Sequence, residues 1–117
     1  QYAYAYALEQ CTESHVVQLA EFYKSKVRWM ENLLNVYGFQ FTDRKTESAF
    51  YVIADFSQFK GKPMSVQTSK VFKDDRKIIS TDVDVVFHLI MEYGLVFLPL
   101  SLMGVESGKC LCRITCA

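Results

Sequence analysis

Residues 80–99 read STDVDVVFHLIMEYGLVFLP, and they contain a helix start, a helix stop and a strand. Ser80 and Thr81 supply hydroxyls that can accept from the unpaired N–H groups of a first helical turn. Asp82 and Asp84 add carboxylates where the helix dipole favours them. The apolar run that follows predicts a helix over residues 82–93, and Gly94 stands where a left-handed cap costs least. Directly after it LVFL, residues 95–98, predicts a strand, closed by Pro99.

Working outward, the chain continues this alternation. Val16, Leu19, Ala20, Tyr23, Val27, Met30, Leu34 and Tyr37 recur every three or four residues, with charged side chains between them. That spacing predicts an amphipathic helix over residues 14–37, stopped at Gly38. The preceding Tyr2, Tyr4 and Tyr6 alternate with alanines, and alanine content favours a weak helix there. Phe39 to Phe41 and AFYVIADF, residues 49–56, predict two antiparallel strands around a polar turn at residues 42–48. Residues 57–79 carry Lys60, Lys62, Lys70, Lys73, Arg76 and Lys77 against only Asp74 and Asp75, with Gly61 and Pro63 as breakers. This segment is expected to be a long exposed loop with at most a short helical turn. Within CLCRITCA, residues 110–117, a closing strand is predicted over residues 110–116.

The order of long helix, two strands, basic loop, helix and two strands implies an α/β sandwich of the α+β kind. Its sheet is small and mostly antiparallel, with helices packed on one face. The 117 residues are expected to form one domain, large enough to bury a core without disulfides. Thirteen basic and thirteen acidic side chains cancel, so no global field favours nucleic acid. No apolar run reaches the roughly 20 residues needed to cross a membrane. The N-terminal residues lack the pattern of a signal peptide, which points to a cytoplasmic protein with free thiols. A chain opening on Gln1 in patterned sequence, and stopping inside a strand-like run, reads as a piece of a longer polypeptide.

Three groups of residues bear on chemistry. On a strand, Cys110, Cys112, Ile114 and Cys116 share one face. Three thiolates on one face could meet a metal, but the spacing is not that of structural zinc sites, and buried cysteine is ordinary core packing. His15 and His88 have no partner that spacing would bring close, and Lys70 lies in a solvated, charge-rich loop, so none is expected to carry chemistry. Arg113 shares the closing strand with Leu111, Cys112, Ile114 and Cys116, and a guanidinium there calls for a carboxylate, phosphate or carbonyl. The residues alone leave two alternatives open: Arg113 recognises an anion, or it is an edge-strand arginine that reaches water or pairs with an internal acid.

Three stretches read in order resemble a known family. They are Ala49-Phe50-Tyr51-Val52-Ile53-Ala54-Asp55-Phe56, the helix-to-strand run from Asp84 to Pro99, and Arg113-Ile114-Thr115-Cys116-Ala117. Together they are similar to the carboxy-terminal small domain of fold-type I pyridoxal-phosphate aminotransferases, the aspartate and aromatic aminotransferase superfamily. The long helix ending at Gly38 fits the same pattern. The resemblance implies that Arg113 binds the α-carboxylate of an amino-acid or 2-keto-acid substrate. It implies, too, that the cofactor pyridoxal phosphate, with its lysine and its phosphate-holding residues, belongs to a large domain of the same polypeptide. A homodimeric parent is expected, and the isolated chain is expected to hold no cofactor and no metal and to be inactive. Glu47-Ser48 and Leu100 stand where the family usually has glycine, which bears on the loop near Arg113. The alternatives are a stand-alone α/β binding or assembly module, in which Arg113 pairs internally, and a thiol–metal module.

Overall fold

The computed structural model describes residues 1–41, 49–72 and 78–116. The turn expected at residues 42–48 lies outside the described residues. So do residues 73–77 of the basic segment and Ala117.

Helix α1 spans Tyr2–Gln10 and buries no side chain. Helix α2 spans Glu13–Val36; its Thr12 hydroxyl accepts from the N–H of His15. It ends ahead of Gly38, which takes φ +76°, a conformation that costs glycine little. Of its core-facing stripe, Val27 and Leu34 are buried. Strand β1, Gln40–Phe41, follows at once, and β2 spans Tyr51–Asp55. Helix α3 is a single turn at Val66–Ser69, capped by the Ser65 hydroxyl.

Helix α4 spans Asp82–Tyr93, the range the 80–99 stretch predicts. Its first turn is a reciprocal cap. The Thr81 hydroxyl accepts from the Asp84 N–H, and Asp84 Oδ2 accepts from the N–H of Thr81 and from both the N–H and the hydroxyl of Ser80. This carboxylate is wholly buried, so its burial cost is offset by these three donors. Gly94 closes the helix with φ +67°.

Strand β3 spans only Leu98–Pro99, against an expected 95–98. Leu95 and Val96 are instead exposed, and pairing begins where Leu98 comes opposite Arg113. Pro99, which has no N–H to donate, is accommodated because β3 is an edge strand. Asp82 Oδ2 accepts from the Ser101 N–H at 2.7 Å, fastening the start of α4 to the 3-10 turn Leu100–Met103 that follows β3. Leu100, where the resembled family turns on a glycine, begins that turn without a positive φ. Strand β4 spans Leu111–Thr115.

The four strands form one antiparallel sheet in the order β1-β2-β4-β3. Val52 and Ala54 of β2 and Cys112 and Ile114 of β4 line one face. They form a single core with Val27 and Leu34 of α2 and Val85, Val86 and Leu89 of α4. The architecture is the expected α+β one, a small antiparallel sheet with helices against one face.

The basic segment departs from expectation. Met64, Thr68 and Ile79 are buried rather than exposed, and Met64 and Ile79 join the main core. Its two ends are tied by hydrogen bonds from the Ile79 N–H to the Lys62 carbonyl and from the Gly61 N–H to the Ile79 carbonyl. An apolar residue at each end thus folds a charge-rich stretch back onto the sheet.

Candidate functional site

The face of the sheet opposite the core carries Arg113. The guanidinium stands in the middle of a central strand, because β4 is flanked by β2 on one side and β3 on the other. Its backbone partners are Ile53 and Leu98, and both present half-buried apolar side chains beside it on the same face. The edge-strand alternative therefore does not describe this residue.

Tyr51, two residues before Ile53, brings its ring under the charge: Arg113 Cζ sits 5.0 Å from the ring centroid. A cation over a tyrosine face contributes about 0.5–2 kcal/mol, depending on how much water is displaced. Tyr51 is itself held in a ring ladder. Its centroid lies 5.9 Å from that of Phe50, Phe50 lies 5.6 Å from Tyr23 of α2, and Tyr23 lies 5.3 Å from Phe22. The long helix thus positions the aromatic platform on which the guanidinium rests. Arg113 was visible in the sequence as the residue needing an anion. Tyr51 was not singled out, since its position under Arg113 depends on the β2–β4 register, which only pairing reveals.

Arg113 Nε is buried and has no hydrogen-bond partner. Among the described residues the one ion pair joins Lys24 to Glu21 on the surface of α2, so no described carboxylate pairs with Arg113. Asp55 lies diagonally across the sheet, where it pairs in register with Leu111, and its Oδ1 accepts from the Ser57 N–H. The guanidinium is thus supported by a ring, flanked by Ile53 and Leu98, and left with one buried donor that has no partner among the described residues.

The cysteines lie on the other side. Cys110, Cys112 and Cys116 are buried free thiols, and Cys11 is exposed. Burial pushes the Cys112 thiol up to about 12, helped by the nearby Asp82 charge, and raises the other two as well. Thiols so protonated are poor ligands and poor nucleophiles. Among the described residues no group of three His, Cys, Asp or Glu side chains is placed to hold a metal. His15 is exposed on the first turn of α2, where its backbone N–H is capped. His88 lies between the rings of Phe59 and Tyr93, each 6.1 Å away, on the helix layer rather than beside Arg113. Lys70 is exposed at the end of α3.

Among the described residues no helix is long and apolar enough to cross a membrane. No protein-family profile, no curated protein and no solved structure matches the chain.

Proposed function

We propose that this chain is the small domain of a pyridoxal-phosphate-dependent amino-acid aminotransferase, and that Arg113 binds the α-carboxylate of the amino-acid or 2-keto-acid substrate. One observation carries the reading: a guanidinium in a central strand, resting on Tyr51, has a buried Nε with no partner and no described carboxylate beside it. In a stand-alone module whose arginine pairs internally, that donor would be satisfied by the chain itself, because an unmet buried donor costs about 1–3 kcal/mol. A substrate carboxylate meets it instead. The sequence order that resembles the family supplies the reaction class, and the antiparallel sheet with helices on one face agrees with it.

Lys70 is an exposed surface residue. In this reading the cofactor belongs to a large domain of the same polypeptide, the parent is a homodimer, and this chain contributes substrate binding and no catalytic group. Four free thiols suit a cytoplasmic setting.

The test is a titration of the 15N-labelled chain with propanoate, read at the Arg113 guanidinium resonances. A saturable, millimolar shift of Arg113 Nε–H is expected, absent from Arg113→Lys, whose single ammonium cannot form the fork. An Arg113 resonance that does not move contradicts the reading.

A further inference from the structure

Granting that reading, we infer that the acid bound at Arg113 has an apolar or aromatic body and a single carboxylate, and that dicarboxylic amino and keto acids are disfavoured. The side chains around the guanidinium carry the inference. Ile53 and Leu98 flank Arg113 in register, Leu111 lies two residues along the same strand, and Tyr51 supplies the ring beneath it. All four are half-buried, so a bound molecule removes further apolar surface from water as it lies along the sheet.

A second carboxylate finds the opposite environment. Among the strand residues that the register places on this face, Arg113 is the one cation. The other charged one is Asp55, in register with Leu111, and the Ser57 N–H holds that acid in place. A distal carboxylate laid toward Leu111 would lose water beside a like charge, and desolvation and repulsion act in the same direction. An aliphatic or aromatic group in the same place meets Leu111 and Ile53. Burying one methylene fully is worth about a fourfold gain in affinity, from 0.8 kcal/mol at 1.4 kcal/mol per decade.

Three probes separate this inference from the reading beneath it: propanoate, 3-phenylpropanoate and glutarate, each titrated into the chain and followed at Arg113 and Tyr51. Propanoate reports the carboxylate clamp alone. We expect 3-phenylpropanoate to bind about fivefold or more tighter than propanoate, and glutarate to bind no tighter than propanoate. Leu98→Lys, which sets a cation beside Arg113 on the exposed edge strand, is expected to improve glutarate relative to 3-phenylpropanoate by about fivefold. Glutarate binding as tightly as 3-phenylpropanoate to the unaltered chain overturns the inference and leaves the clamp intact. Binding of none of the three overturns the clamp itself.

Discussion

At the scale of single residues, CLCRITCA divides by side of the sheet. The sulfurs belong to the core and the guanidinium to the open face, as strand alternation from Cys110 to Cys116 predicts. Burial has a pH consequence. In the unfolded chain the three thiols ionise near their ordinary value of 9.0, whereas in the folded chain all three are raised, Cys112 to about 12. The folded state therefore keeps protons that the unfolded state gives up. Their contribution to stability is complete below pH 9 and is lost as pH climbs from 9 toward 12. Urea unfolding at pH 8 and pH 10.5 should show a lower midpoint at the higher pH. Replacing the three buried cysteines by alanine or valine should flatten that dependence, and an unchanged slope would contradict it. What the residues alone could not show was the neighbour of Arg113. Tyr51 and Arg113 are far apart in sequence, and their contact follows from a register set by core packing.

At the scale of elements, legibility tracks how local the determinants are. Helix α4 was readable to its ends because Thr81, Asp84 and Gly94 act within one turn of themselves. The α2 stop at Gly38 was readable for the same reason. Strand β3 came out shorter than its apolar run, and the basic segment came out partly buried. Their structure depends on distant partners: Leu98 on Arg113, Ile79 on Lys62 and Gly61. One local feature runs against its residue type. Ala49, an exposed residue just before β2, takes φ +75°, a left-handed conformation that costs a non-glycine residue about 1–2 kcal/mol. Ala49→Gly removes that strain and gives back part of it as unfolded-chain entropy. A net gain of about 0.5–1 kcal/mol is expected, seen as a Tm rise of about 3 °C. Gly94→Ala should do the reverse, since nothing lies within 4 Å of the new Cβ and the positive φ is the whole cost. A lower Tm for Ala49→Gly would show that the left-handed turn is not strained.

At the scale of the whole molecule, the chain is longer than its core requires. Its radius of gyration is 17.7 Å, against roughly 13 Å for a compact chain of this length. The excess lies at the N-terminal end, where α1 buries nothing and Tyr2, Tyr4, Tyr6, Val16 and Val17 are exposed. The proposed function accounts for this arm and for the open sheet face together, since both are surfaces that a large cofactor-bearing domain would cover. In the proposed function Arg113 holds the substrate carboxylate of a larger enzyme. The direct measurement is steady-state transamination by the proposed full-length enzyme, this chain together with the cofactor domain the proposal assigns to it, with Arg113 and with Arg113→Ala, alongside the pyridoxal phosphate each retains. Loss of a buried bidentate charge pair costs about 3 kcal/mol, or a factor of about 100. KM for the amino acid is expected to rise by about that factor while cofactor retention is unchanged. An unchanged KM, or a parallel loss of cofactor, would contradict it.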